Sequence, residues 1–571
     1  MAWYDEAVFY HIYPLGMTGA PKTNDYGKPV HRLNTLIPWI GHLKDLGFTG
    51  LYIGPLFESV GHGYETTDYK KLDSRLGTNE DLTAFVKECH KNGIRVILDG
   101  VFNHTGRDFF AFRDLKEHRE NSPYRDWYSG IWFGGNNEYN DGFSYENWGG
   151  YNLLVKLNQK NPAVRDYICD VVRFWVKEFD IDGLRLDAAD VLDFDFMKAL
   201  RHTADEVKQD FWLMGEVIHG DYSRWANDRT LHSVTNYALH KAFYSGHNDH
   251  NYFEIAHTVK RTLDMLPGEI RLYNFVDNHD VERIYTKLNN KANYMPVHIL
   301  LYTLPGIPSV YYGSEFGIEG RKERGSDDSL RPYLEIGKYL KESGENPHAI
   351  LIGRLGKIRA SFRDLSYSGY EQLLLTNGQY AFSRGRLIIA VNNEDHEAWV
   401  NVPARAETYT GLIGGSTLKA EGGRLNIRLG ANSGEIFAEG GIAADEALTD
   451  AGAGAERDAA DDAETPGKTG NEVPKEEASE GAADTAVGVR DAGVSDGKAA
   501  EETHNEAVTE RPVEDNIVIP DIPYEEMTVE QLQAVILRKL ASNGPVTDRM
   551  RKDVEENIWK NSLVNWAKSF R

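Results

Sequence analysis

Arg185 and Asp187 stand two apart in the apolar stretch Gly183-Leu184-Arg185-Leu186-Asp187, a spacing that places a cation beside a carboxylate. Alternation along a strand puts residues i and i+2 on one face, so these two side chains lie together while Leu184 and Leu186 pack behind them. The cation keeps the carboxylate ionised; a structural ion pair within a sheet is the plain alternative. Other apolar stretches also end in polar residues. One runs into Asp99-Gly100-Val101-Phe102-Asn103-His104, one into Gly215-Glu216, and one into Asn278-His279-Asp280. Brought to one rim, such acids survive only in a wet or ligand-filled pocket, because burying them unpaired is costly. Two carboxylates at a pocket are what cleavage of a glycosidic bond needs: one protonates the leaving oxygen and the other meets the developing cation.

The elements that would position them follow from periodicity. Residues 8 to about 365 alternate short apolar strands with amphipathic helices, the pattern of a parallel sheet covered by helices. Strands are expected at Val8–Tyr13, Gly50–Ile53, Arg95–Phe102, Gly183–Asp187, Phe211–Glu216, Ser233–Asn236, Leu272–Val276 and Ser309–Tyr312. Helical stripes such as Leu36, Ile40 and Leu43, or Val171, Val172, Trp175 and Val176, lie between them. Eight strand–helix units suit an α/β fold of the (β/α)8 TIM barrel type, whose chemistry sits at the C-terminal ends of the strands.

The connection after the third strand, residues 103–160, is too long for a plain loop and too rich in Trp, Tyr, Gly and Asn. It is expected to be an inserted excursion. Its Trp127, Tyr128, Trp132, Tyr139, Tyr145 and Trp148 either stack on a ligand or form a small core of their own.

The barrel with its excursion is assigned to residues 1–366 and a C-terminal antiparallel β domain to 367–440, where Leu387–Val391 reads as a buried strand and Leu425–Leu429 alternates. Residues 441–520 contain no Phe, Tyr or Trp and carry 21 acidic against 6 basic residues, so a disordered acidic linker is expected there. A small terminal helical pair is expected over 521–571. Thr528 and Gln531 have capping-box spacing before Leu532, Val535, Ile536 and Leu540, and Gly544-Pro545 stops that helix. Trp559, Leu563, Trp566 and Phe570 give the second helix an aromatic face. That face closes on the first helix, or takes a protein partner or a long glucan.

Composition narrows the partners. Of the net charge of −25, −15 falls in the linker, which leaves the folded part mildly acidic. Nucleic acid and anionic membranes need a basic face, so neither is expected as a partner. Two cysteines, Cys89 and Cys169, lack metal-ligand spacing and fit a reducing compartment; with no basic, apolar leader and no long apolar window, a cytoplasmic location is expected.

The stretches Asp99–His104, Gly183–Asp187, Gly215–Val217 and Phe275–Asp280 together resemble, in order, the four signature regions of the alpha-amylase family of glycoside hydrolases, family thirteen. The resemblance covers about the first 440 residues. It implies a retaining mechanism with Asp187 as nucleophile, Glu216 as general acid and then base, and Asp280 gripping the sugar and stabilising the transition state. It also implies that Arg185, His104 and His279 bind the nucleophile or the sugar hydroxyls. His62–Tyr69 is similar to the neopullulanase, cyclomaltodextrinase and maltogenic amylase branch, where a Tyr in the position of Tyr64 stacks under the glucose being cleaved; Lys156-Leu157-Asn158 and His219 point the same way. Glu65 departs from the branch's usual Asp and Val155 from its usual Pro, and the β domain that commonly precedes that branch's barrel is not seen before the first strand.

The activity so implied is hydrolysis of α-1,4 glucosidic bonds in maltooligosaccharides, cyclodextrins or starch-derived glucans, with α-1,6 bonds left open by the motifs. A transglycosylase would use the same residues. A non-catalytic sugar-binding relative would be expected to have lost Asp187 or Glu216. No cofactor is required by this chemistry. A structural calcium stays open, since Asn103 occupies a position that helps bind one in many members of the family, and hydrogen bonding at the base of the excursion would serve equally.

Overall fold

In the computed structural model the described residues are 2–266, 268, 270–440, 524 and 527–543. The eight parallel strands are Phe9–Ile12, Gly50–Ile53, Arg95–Gly100, Gly183–Leu186, Trp212–Gly215, Ser233–Val234, Tyr273–Phe275 and Ile307–Tyr311, here called strands one to eight. They pair in the order six, five, four, three, two, one, eight, seven, and a parallel bridge between Thr235 and Tyr273 joins strand six to strand seven and closes the barrel. Every expected strand is present, most of them trimmed by a residue or two. Asp187 and Glu216 fall just past the ends of strands four and five, yet their amides still bond the Gly100 and Leu186 carbonyls at 3.1 and 2.9 Å.

Parallel strands covered by helices are buried on both faces and so read as unbroken apolar runs. Outward residues such as Leu98, Leu184 and Leu213 join the large core beneath the helices. Inward residues change character along the barrel axis. At the N-terminal end they are Phe9, Ile97, Trp212 and Tyr273, a packed apolar plug. Gly183 makes room for it: a Cβ there would lie 2.5 Å from the Trp212 carbonyl oxygen and 2.9 Å from Ile97. Two residues further along the same strands, alternation brings Asp99 and Arg185 to the inside as direct register partners. One layer higher come Asp187 and Glu216.

The helix Pro162–Phe179 shows how local sequence sets the frame. Asn161 caps it by accepting from the Ala163 amide, Pro162 takes the first helical position, where a missing N–H costs nothing, and Asp180 ends it in the left-handed conformation at φ 57°. Val164, Ile168, Val171, Val172, Trp175 and Phe179 form its buried stripe.

The excursion builds a three-stranded antiparallel sheet from His104–Thr105, Asn147–Trp148 and Tyr151–Lys156, beside the helix Phe110–His118. Its aromatic residues divide. Tyr128 and Tyr145 are buried with Phe112 and Phe143, and Trp127 packs on Phe110 and Tyr167. Trp132 and Tyr139 stay open to solvent.

Residues 370–439 form a six-stranded antiparallel sheet and a two-stranded one. Leu387–Asn392 is buried on both faces: Leu387, Ile389 and Val391 join the core of the barrel's helices, while Ile388 and Ala390 face a second core with Val400, Val402, Leu425 and Ile427. Arg424–Leu429 alternates exposed and buried. Separately, Val529–Asn543 is a helix, and the Thr528 and Gln531 side chains and amides satisfy each other at 2.8 and 3.3 Å, a reciprocal capping box. The expected linker over 441–520 and the second terminal helix with Trp559, Leu563, Trp566 and Phe570 lie outside the described residues.

Candidate active site

Arg185 is the centre of the rim. Its Nη1 donates to Asp99 Oδ1 at 2.7 Å, to Asp99 Oδ2 at 3.0 Å and to Asp187 Oδ1 at 2.9 Å, and its Nη2 lies 2.7 Å from Glu216 Oε2. One buried guanidinium thus serves three carboxylates from three neighbouring strands. Register produces this, since Asp99 partners Arg185 directly and the Glu216 amide bonds the Leu186 carbonyl at 2.9 Å. Burial pushes the Asp187 carboxyl well above the usual carboxylate range, with Arg185 opposing and Glu216, Asp99 and Asp280 reinforcing the rise, so the cation two residues away does not by itself keep Asp187 ionised as its spacing led one to expect. Asp99 is likewise raised by burial against the pull of Arg185.

The backbone turns sharply behind Asp187. Ala188 sits at φ 47°, ψ 44°, a left-handed conformation that costs a non-glycine residue about 1–2 kcal/mol. The turn aims the Ala188 amide at Glu216 Oε2, 3.1 Å away. Tyr237, at the start of the helix after strand six, donates to Glu216 Oε1 at 3.2 Å and accepts from Asn278 Nδ2 at 3.2 Å. Glu216 is therefore held through both oxygens.

Asp280 is about a third exposed, and its amide donates to Asn278 Oδ1 at 2.8 Å. Arg331 Nη2 donates to its Oδ1 at 2.8 Å and His279 Nε2 lies 3.0 Å from its Oδ2. Burial alone would raise this carboxyl, but His279, Arg331 and Arg185 together hold it well below the usual range. Tyr64 has its hydroxyl against His279 Nε2 and 3.3 Å from Asp99 Oδ2, and its ring lies nearly parallel to the imidazole, 13° between planes. His104 sits behind it, donating from Nε2 to the Tyr64 carbonyl at 3.1 Å, and burial lowers its pKa to about 3. The neutral ring braces the segment that carries Tyr64; its hydrogen bond goes to that carbonyl and not to Asp187.

Beside Asp280 opens a cleft of about 970 Å³, walled by the excursion and by the loops after strands one, two and eight. Arg331 lines it and links it to Asp280, while Asp187 and Glu216 lie outside its lining.

Comparison with known proteins settles the family. Residues 26–352 match the model described as the alpha amylase catalytic domain. The chain belongs to the alpha-amylase family. It is 31% identical over 452 residues to a cyclomaltodextrinase of Thermoanaerobacter pseudethanolicus, covering 75% of this chain and 76% of that protein. It is 32% identical over 374 residues to a maltogenic alpha-amylase of Bacillus acidopullulyticus, where the match spans 60% of this chain and 63% of the relative. Among solved structures, the Nostoc punctiforme debranching enzyme superposes with a TM-score of 0.66 at 27% identity, over 76% of this chain and 98% of that one.

For this member of the alpha-amylase family, six of the seven residues singled out in the sequence, Tyr64, Arg185, Asp187, Glu216, His279 and Asp280, meet at one rim, and His104 stands one layer behind. Sequence reasoning did not single out Tyr52, which donates to Asp99 Oδ2 at 2.8 Å, nor Tyr237 and Arg331. In sequence Asp99 reads as an acid near a strand end with no role assigned to it, and its pairing with Arg185 is visible only once the strands are in register. Arg331 follows Asp280 by 51 residues in an irregular loop and carries no local pattern.

Asn103 Oδ1 is buried without a hydrogen-bond partner, and its Nδ2 faces His104 Nδ1 at 3.2 Å. Calcium requires about six to eight oxygen ligands. Among the described residues no group of three or more His, Cys, Asp or Glu side chains is arranged to hold a metal. A single amide oxygen beside a ring nitrogen does not by itself make that donor set.

Proposed function

We propose that this protein is a retaining α-glucoside hydrolase acting on α-1,4 and α-1,6 bonds of maltooligosaccharides, cyclodextrins or starch-derived glucans. The observation that carries the reading is the pair of carboxylates, Asp187 and Glu216, fixed on adjacent strands by one guanidinium at 2.9 and 2.7 Å. Arg185 engages Asp187 Oδ1, so Oδ2 is the oxygen presented to the anomeric carbon. As that bond forms, Glu216 gives a proton to the departing glycosidic oxygen. The glycosyl ester on Asp187 is then cleaved by water, whose proton returns to Glu216. Two displacements at one carbon restore the starting configuration.

Asp280, kept ionised by Arg331 and His279, suits a grip on the sugar hydroxyls and on the positive charge that spreads over the ring in the transition state. Tyr64 offers a flat ring whose angle is pinned by its hydroxyl. Proton donor and nucleophile are both side chains, so the chemistry calls for no cofactor. The names of the relatives support the substrate class, and the buried, unpaired Cys89 and Cys169 support a reducing, cytoplasmic setting.

Proton NMR of the first product from maltotriose is the test. An α-anomer appearing first is expected. A β-anomer appearing first would overturn the nucleophile assignment, because an inverting pair has to leave room for a water.

A further inference from the structure

We propose that a cavity at the N-terminal mouth of the barrel, at the far end from the catalytic rim, is a second ligand site that takes a neutral, polyhydroxylated molecule the size of a free mono- or disaccharide. The cavity measures about 760 Å³, within the range of small-molecule sites, and its lining includes Tyr4, Arg201, Asp210, Trp212, His232 and Ile307. Its floor is the apolar plug, since Trp212 opens strand five and Ile307 opens strand eight. Glu216 stands four residues beyond Trp212, about 13 Å further along the strand direction at ~3.3 Å per residue. None of the rim's carboxylates lines the cavity.

Two side chains of the lining carry buried donors without acceptors, and a third adds another N–H. Trp212 is fully buried, its ring stacked on Phe9 and on Tyr4, and its Nε1–H has no partner. Arg201 gives its Nε to Asp205 at 3.1 Å, while its Nη1 is buried and unpartnered. His232 accepts the Leu213 amide at Nδ1, 2.9 Å away, and burial lowers its pKa to about 4, so the ring is neutral and its one proton sits on Nε2. Buried donors are almost always paired in native proteins, and an orphan calls for an explanation. Here two orphans belong to one cavity, and a ligand oxygen supplies the acceptor that the chain does not.

The charges select a neutral ligand. Arg271 holds Asp5 at 2.9 Å and Asp205 holds Arg201, which leaves Asp210 and Asp228 on the lining with no ion pair among the described residues. An anion drawn to Arg201 would meet those two carboxylates, and a cation drawn to them would meet Arg201 and Arg271. Hydroxyls suit both, because each accepts from an N–H and donates to a carboxylate. Tyr4, Ile270 and Ile307 add apolar surface, which fits the C–H face of a pyranose.

The test labels the tryptophan indoles of the full chain with nitrogen-15 and follows their Nε1–H signals by NMR as glucose, a sugar with no glycosidic bond to cleave, is added. Trp212→Phe identifies the Trp212 signal by its disappearance. The expected result is a saturable shift of that signal, with the apparent Kd raised about tenfold or more in Arg201→Met, which keeps the apolar stem and removes the charged donor. Should Trp212→Phe fail to fold, titration calorimetry of glucose into the parent and Arg201→Met reads the same loss without it. A Trp212 signal that stays still, or glucose binding that is unchanged in Arg201→Met, would overturn the site. A stronger response to inorganic phosphate than to glucose would overturn its chemistry. Turnover plays no part in either readout, so the outcome is separate from that of the hydrolase reading.

Discussion

Asp187→Asn separates a catalytic carboxylate from a structural one. If Asp187 were simply half of a buried ion pair, removing its charge would cost about 3–5 kcal/mol, the usual result of leaving a buried partner uncompensated. Arg185 would not be left uncompensated here. It keeps Asp99 at 2.7 Å and Glu216 at 2.7 Å, and the asparagine side chain that replaces the carboxylate is isosteric and can still accept from Nη1 through its amide oxygen. What is lost is the charge assistance of one hydrogen bond, about 1 kcal/mol. What is gained is relief of three acids crowded on one cation, with burial disfavouring ionised Asp187 further. The two nearly offset, so the variant should unfold within about 1 kcal/mol of the parent, a shift of a few degrees or less in Tm. Turnover of maltotriose should fall about 10⁴-fold or more, the scale seen when a nucleophile is removed.

The pH dependence supplies a sign. A carboxyl whose folded pKa is raised contributes stability that is complete below its unfolded value and is lost as pH rises through the folded one. The parent therefore loses stability relative to Asp187→Asn on going from about pH 4 to neutrality. Differential scanning calorimetry across that range reads it. A parent that gains on the variant as pH rises, or a variant that loses about 3–5 kcal/mol while retaining activity, would refute the argument.

Two further outcomes follow from the rim. Glu216→Gln keeps the volume and the contacts to Arg185 and Tyr237 but removes the proton, so hydrolysis of maltotriose should collapse while formation of the glycosyl ester from an activated α-glucosyl fluoride persists; stopped-flow release of fluoride measures the difference. Arg331→Ala removes the donors to Asp280 Oδ1 and to the His279 carbonyl at 3.0 Å, which should raise KM about tenfold or more on short and long maltooligosaccharides alike and leave anomeric retention intact by NMR.

Much of this was legible before any fold was in view, and the physical reason is periodicity. The strands announced themselves because a parallel strand is apolar on both sides, and Arg185 stood out because it broke such a run. Tyr237 and Arg331 break nothing. Tyr237 begins an ordinary helix, and Arg331 sits in a loop whose path is set by contacts with Tyr13, Asp327 and Asp280, all remote or irregular in sequence. The excursion's rings were ambiguous for a related reason. Tyr145 and Tyr151 look alike in sequence, and only packing against Phe112 and Phe143 puts one in a core and leaves the other at a cleft.

The residues that violate folding rules are the ones that gather at the rim, and this tells how the barrel and the site divide their tasks. The lower half of the barrel is an apolar plug of Phe9, Ile97, Trp212 and Tyr273 that contributes stability and no chemistry. The upper layers hold three acids around one guanidinium, an alanine in a left-handed turn, and a tyrosine hydroxyl pressed on an imidazole. Each is unfavourable alone and persists because the strands beneath it are over-determined. Register is the link between the halves. Sliding strand four by one residue would exchange Arg185 and Asp187 for Leu184 and Leu186 inside the barrel, exposing the apolar set and burying the charged one against the helices. The apolar plug therefore acts on the chemistry at a distance: by fixing which residues face inward at the bottom, it fixes which carboxylates face one another at the top.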